Sequence, residues 1–209
     1  MPLSLYSWAP AAAHPTESSR NDIREIAGCG EVPHLLMTAT SVTSVTSSEL
    51  EESSSLRAAL LALNNEHAVE LSWADDAKLR NLVAMAFLAE RAGFADAFLI
   101  ALDQDACYDN PNFRWFRSRY GRFVYVDRVV TAPEARGRGL ARTLYRRLIE
   151  RAIAAKHERI VCEVNVDPPN PGSQAFHQSL GFVPIGDARL PGGKTVTYLH
   201  LRLPSKSQE

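Results

Sequence analysis

Two glycines in the stretch Arg136-Gly137-Arg138-Gly139-Leu140-Ala141 separate a β-branched run, Phe123 to Thr131, from an amphipathic helical pattern, and this junction constrains the chain more than any other segment. Glycine lets the backbone turn tightly and approach another group closely. Beyond it Leu140, Ala141, Leu144, Tyr145, Leu148, Ile149, Ala152 and Ile153 recur at three- and four-residue spacing, with Arg142, Arg146, Arg147, Glu150 and Arg151 outside that face. The first-turn N–H groups of such a helix have no partner within it, and the helix dipole adds positive potential, so the junction suits an anion. Glycine also serves plain strand-to-helix turns, and the motif gains force only beside a second signature.

That signature follows about thirty residues on. Ile160 to Val166 is a second β-branched run, Pro168-Pro169-Asn170-Pro171-Gly172-Ser173 breaks it, and a short helical segment from Gln174 to Leu180 ends at Gly181-Phe182. From Phe123 to Phe182, and more loosely from Leu56 to Leu203, the chain resembles the GNAT family of acetyl-CoA-dependent N-acetyltransferases. Arg136, Gly139 and Ala141 fill that family's Arg/Gln-x-x-Gly-x-Gly/Ala motif, and Asn170, Ser173, Phe176, Gly181 and Phe182 match its second signature. The resemblance implies an α/β (α+β) fold with a mixed, mostly antiparallel central sheet flanked by helices. It further implies acetyl-CoA as the acetyl donor and co-substrate, and a primary amine of a small molecule or peptide as acceptor.

On the same resemblance, backbone groups of Val130, Thr131 and Ala132 would hold the pantetheine arm, amides of Arg136, Gly137, Arg138, Gly139, Leu140 and Ala141 the pyrophosphate, and Asn170 and Ser173 the arm and its turn. Ser173 equally suits the N-cap of the following helix. Three groups are candidates for the chemistry. Asp127 interrupts an apolar strand and occupies a position where several family members place an acid, as base or amine ligand; its other reading is an ion pair with Arg128 or a nearby arginine. Glu163 interrupts the next strand in the same way. His177 stands where many members have a tyrosine and is a candidate proton donor or a structural histidine, with Tyr125, Tyr145 and Tyr198 as alternative donors.

Composition bounds the rest. The chain has 209 residues, 45% of them hydrophobic, enough for one sizeable core. Met1 to Ser55 is rich in Ser, Thr, Ala and Pro, so the expected division is a tail over 1–50, with 35–45 as a candidate first strand, and the acetyltransferase domain over 51–204. Met1 to Ala13 has neither the basic start nor the apolar stretch of a signal peptide, and no apolar run approaches the roughly 18 residues of a membrane span. Cys29, Cys107 and Cys162 form no metal-ligand pair and no even disulfide set, so no metal and a cytoplasmic location are expected.

The net charge is −1, yet Arg114 to Arg159 holds 13 of the 23 Lys and Arg. A nucleic-acid-binding protein is therefore one alternative, although a solvated basic face that attracts a polyanionic cofactor accounts for the same cluster. A non-catalytic acyl-CoA-binding regulatory module is the other, since the tyrosine is missing. A dinucleotide site of the Rossmann kind lacks its third glycine. The expected partners are thus an amine acceptor, with no nucleic acid and no membrane, in a monomer or homodimer.

Further expectations are local. Leu56 to Asn65 reads as a helix, and Asp75 or Asp76 caps another through Leu79, Leu82, Val83 and Phe87. Ala86 to Arg91, Ala97 to Asp103 and Thr195 to Leu203 read as strands, the last after a Gly192-Gly193 turn. The aromatic segment from Asp105 to Tyr120 either stacks on a cationic amine or covers the sheet edge.

Overall fold

The computed structural model describes residues 40–204. Seven strands form one sheet in the order β1-β2-β3-β4-β5-β7-β6: β1 is Val42–Ser44, β2 Leu88–Ala92, β3 Ala97–Asp103, β4 Val124–Thr131, β5 Arg159–Asp167, β6 Val183–Arg189 and β7 Thr195–Arg202. Every neighbouring pair is antiparallel except β4 and β5, which run parallel. The crossover between them is the long helix α6, Leu140–Ala154, as a parallel pair requires.

Helices cover both faces. One layer of core is built from α1 (Ser47–Glu52), α2 (Ser54–Glu66), α4 (Asp76–Ala84) and α5 (Pro111–Arg117) against Phe98, Ile100, Phe123, Tyr125, Val161 and Tyr198. The other sets Leu140, Leu144, Tyr145 and Leu148 of α6 against Leu99, Val124, Val126, Ile160 and Cys162. The remaining helices are the short α3 (Ala68–Leu71) and α7 (Pro171–Ser179). Burying strand residues on alternate faces makes both sides apolar, which is why β3 reads as a continuous hydrophobic run.

The domain starts earlier than residue 51: β1 pairs with β2, and Val45 and Leu50 lie in the core. The candidate first strand within 35–45 is present as β1, a short edge strand, whereas the Ser/Thr-rich composition hid α1, whose cap Thr46 accepts from the Glu49 amide. The rest of the expected tail, 1–39, lies outside the described residues. Asp75 caps α4 through the Lys78 amide at 2.7 Å. α7 begins at Pro171, ahead of the expected Gln174, and its cap is Asn170 in place of Ser173, whose amide donates to Asn170 Oδ1 at 3.0 Å. Pro171 at the first helical position shifts the cap back, since proline has no N–H to satisfy.

β6 was not expected. Pro184, Gly186 and its exposed face give it little strand signal, and its place comes from pairing with β7 and from Trp115 of α5. Trp115 stacks on Tyr198 of β7, ring centroids 4.1 Å apart, and a Cβ on Gly186 would sit 3.4 Å from its Cζ2. Trp115 of the aromatic segment therefore covers the β6 edge, while Tyr108 of the same segment lines a cavity.

Candidate active site

The site exists because two parallel strands part company. Only Val124 and Tyr125 of β4 pair with Ile160 and Val161 of β5; beyond those residues the strands splay. The gap opens a cavity of about 790 Å³, walled by Val126 to Thr131 on one side and Cys162 to Asn165 on the other. Backbone polarity at the gap follows from the other edge of β4. The Ala132 amide donates to Asp96 O at 2.8 Å, and hydrogen-bonding residues alternate along an antiparallel pair, so Val130 and Arg128 turn their main-chain groups to β3. Val129 and Thr131 turn theirs toward the splay.

A bulge in β4 decides the side chains. The register with β3 slips between Ile100, opposite Arg128, and Ala101, opposite Val126, leaving Asp127 as the extra residue. Before the bulge odd-numbered residues, Phe123 and Tyr125, face the α2/α4/α5 layer; after it the even-numbered Val130 does. Asp127 and Arg128 therefore project side by side from the same face. They form an ion pair, Arg128 Nε to Asp127 Oδ2 at 3.1 Å. Arg128, 2% exposed, also donates through Nη1 to Asn64 Oδ1 and to Ser72 O. Tyr108 donates to Asp127 Oδ1 at 2.7 Å. Burial pushes the Asp127 carboxyl up, opposed by the Arg128 charge, the Tyr108 hydrogen bond and Lys78.

Glu163 faces the same layer from β5. Its Oε1 accepts from Asn112 Nδ2 at 2.8 Å and from the Tyr125 hydroxyl at 3.0 Å, both neutral donors, and its Oε2 is buried without a partner. Burial first, and then the charge of Asp127, push this carboxyl to about 7. A carboxyl that titrates near neutrality inside a cavity is equipped to take and release a proton at working pH.

At the other end of the cavity, His177 is buried. Its Nδ1 lies 2.8 Å from Ser173 O, a group that only accepts, so the ring proton sits on Nδ1. Nε2 then accepts from the Tyr145 hydroxyl at 2.7 Å. Burial lowers the His177 pKa and keeps the ring neutral, while it holds the Tyr145 phenol well above its usual value. The mobile proton of this pair therefore resides on Tyr145.

The glycine turn lies between two lining residues, Arg136 and Ala141. Gly137 and Gly139 have φ of 77° and 73°, and a Cβ on either would meet nothing within 4 Å. These glycines serve backbone conformation and leave open space beside it. No side chain caps α6, so the Leu140, Ala141 and Arg142 amides are unclaimed by the helix.

The geometry invites comparison with known proteins. The Acetyltransferase (GNAT) family model matches residues 106–182, from the approach to α5 through Phe182. The matched stretch is GNAT-like. Among solved structures, the NatC complex bound to Gag peptide and CoA aligns at a TM-score of 0.59 with 13% identity, covering 78% of this chain and 98% of that one. A putative acetyltransferase from Salmonella typhimurium with acetyl-CoA aligns at 0.57, 18% identical, covering 81% and 97%. The ribosomal-protein-alanine N-acetyltransferase from Brucella melitensis gives 0.55 and 22%, covering 78% and 99%. No curated protein matches by sequence. At these identities the shared property is the fold: a mixed, mostly antiparallel sheet flanked by helices.

Of the expected site residues, Asp127, Glu163, His177, Val130, Thr131, Arg136, Ala141, Asn170 and Ser173 all line the cavity. Ala132 does not, and its amide is committed to Asp96; the N–H facing the gap beside Thr131 belongs to Val129. Gly137, Arg138, Gly139 and Leu140 do not line it either: the Arg138 side chain turns away to Asp96 and Thr40, at 2.9 and 2.7 Å, and Leu140 is buried in the core. Tyr108, Asn112 and Lys78 were missed. The signal for the bulge was present: two consecutive charged residues in an apolar strand cannot both avoid the core unless the alternation breaks. Among the described residues no cluster of His, Cys, Asp and Glu has the form of a metal site.

Proposed function

We propose that the chain transfers an acetyl group from acetyl-CoA to a primary amine, with Glu163 as general base. The observation that carries this reading is the splay itself: one cavity is lined by Arg136 and by Ala141 of the uncapped first turn of α6, and also by two carboxylates, Asp127 and Glu163, the latter titrating near 7. The donor fits this chain on its own geometry. Main-chain groups of Val129 and Thr131 face the gap, the left-handed glycines leave room beside the α6 amides, and Asn170 and Ser173 stand at the far wall. Acetyl-CoA supplies an activated thioester.

The residues do the rest. Glu163 accepts a proton from the incoming ammonium, since an amine attacks only when neutral. Asp127, fixed by Tyr108 and Arg128, holds the amine by charge-assisted hydrogen bonding. N–H groups turned into the gap polarise the carbonyl, a type of contact worth about 2.7 to 4 kcal/mol per donor in acyl-transfer enzymes. Tyr145, oriented by His177, keeps its proton across the working pH range and delivers it to the leaving sulfur, its oxygen taking back the second proton that the nitrogen sheds as the amide forms. We further place this reaction in the cytoplasm, a setting in keeping with the free thiols of Cys107 and Cys162.

The test is calorimetric binding of acetyl-CoA to the full chain followed by release of free CoA in the presence of an amine panel. Binding with amine-dependent release is the expected result. Binding without turnover on any amine identifies a regulatory module, and absence of binding refutes the reading altogether.

A further inference from the structure

Resting on the transferase reading, we propose that the acceptor is a primary amine bearing a carboxylate a few atoms away, and that Lys78 is the residue that reads that carboxylate. The inner wall at the acceptor end carries an unbalanced cation. Asp127 is the single carboxylate between Arg128, in ion pair at 3.1 Å, and Lys78, whose charge also acts on it. Glu163 offsets little of this, because it is held by neutral donors and remains half-protonated near neutrality.

Lys78 itself has little to hold. It lines the cavity, and Nζ donates to Trp73 O at 3.3 Å, which leaves most of its donor capacity directed elsewhere. Of the other charges near it, Asp75 is exposed outside the cavity lining and accepts from the Lys78 amide at 2.7 Å, Lys194 Nζ donates to Val69 O at 2.7 Å, and Glu70 is an exposed rim residue on α3. A simple alkylammonium entering this pocket would meet Asp127 but also the field of Lys78 and Arg128. A zwitterion satisfies both, placing its amine by Asp127 and Glu163 and its carboxylate on Lys78.

Free amino acids and peptides with an acidic residue near their N-terminus share this chemistry. The bridge from Val69 O to Asn165 Nδ2 at 3.3 Å and to Lys194 joins α3 to β5 and the β6–β7 turn across the acceptor end, which favours the shorter molecules. The experiment measures kcat/KM with acetyl-CoA for matched pairs, each free amino acid beside its carboxamide and each acidic-second-residue peptide beside its amidated twin. The ratio within a pair is the readout, so differences in absolute rate cancel.

The wild-type chain is expected to favour the carboxylate member by about 10- to 100-fold, the strength of a charge-assisted contact. Lys78→Met collapses the ratio toward one, and Lys78→Arg restores most of it. A preference in the amino acid pairs assigns a free amino acid; a preference confined to the peptide pairs assigns an acidic N-terminus. Equal turnover within every pair, or a ratio that Lys78→Met leaves intact, overturns the proposal while the transferase reading stands. Acetyl-CoA binding with no turnover of any amine overturns both.

Discussion

Replacing Glu163 by Gln tests the base, and the structure sets the size of the effect. Burial pushes the carboxyl up to about 7 in the folded chain from its ordinary 4.5. Its ionised fraction therefore rises about tenfold from about pH 6 to about pH 8. The acceptor amine also titrates, but identically for wild type and variant, so the ratio of their kcat/KM isolates Glu163. That ratio should climb about tenfold over the same interval and level off at about 10² to 10⁴, the range of general-base contributions.

Stability moves the opposite way. A carboxyl with a raised folded pKa binds more protons folded than unfolded between 4.5 and about 7, so its stabilising contribution is complete below 4.5 and is lost as pH rises through 7. From about pH 5 to about pH 8 the wild type loses about 2 to 3 kcal/mol that the variant does not. The melting temperature of Glu163→Gln should thus gain several degrees on the wild type across that interval. Gln still offers Oε1 to Asn112 and Tyr125, so the fold survives. Variant activity within about threefold of wild type at pH 8, or a rate ratio flat with pH, would refute Glu163 as base.

Two further outcomes are expected. Gly139→Ala places a Cβ at φ 73° in open space, so it costs about 1 to 2 kcal/mol of backbone strain without a clash; the chain should remain folded and calorimetry should show acetyl-CoA binding weakened by about 5- to 30-fold, an unchanged Kd excluding the turn from the donor site. Tyr145→Phe leaves His177 Nε2 buried without its donor, lowering stability by about 1 to 3 kcal/mol. It should lower kcat at least about tenfold with little change in KM for acetyl-CoA, and an unaltered kcat would reduce the Tyr145–His177 pair to a structural role.

Legibility in the sequence followed locality. The glycine turn, the α6 stripe and the β4 and β5 runs are written in adjacent residues and were readable, as were Asp127, Glu163 and His177 as polar interruptions in apolar elements. β6 depends on pairing with β7 and on the Trp115 ring, contacts that reach across the chain, and its Pro184 and Gly186 argue locally against a strand. Lys78 occupies what looks like a solvent-facing turn of α4, and only the packing of that helix beside β4 turns it to the cavity. The partnership of His177 with Tyr145, one of the alternative donors named from the sequence, joins positions 32 residues apart, and their hydrogen bond puts the shared proton on Tyr145.

Two carboxylates on one face raise the question of which one titrates during turnover, and their partners answer it. Asp127 has a guanidinium at 3.1 Å, a phenol donor at 2.7 Å and Lys78 nearby, all favouring its charged form, whereas Glu163 has neutral donors alone. Asp127 therefore releases its proton first, and its charge is the second cause of the raised Glu163 value. This is the division of labour by which unequal environments give paired carboxylates separate tasks. Asp127→Asn removes that charge. If Glu163 is the base, the rising limb of the pH–rate profile persists and its midpoint moves below about 7, even as amine binding weakens and KM for the acceptor increases. If Asp127 were the base, the limb would disappear from the variant. A profile of kcat against pH measured at saturating acetyl-CoA separates the two, and a midpoint that stays in place or moves upward contradicts the electrostatic coupling on which the assignment stands.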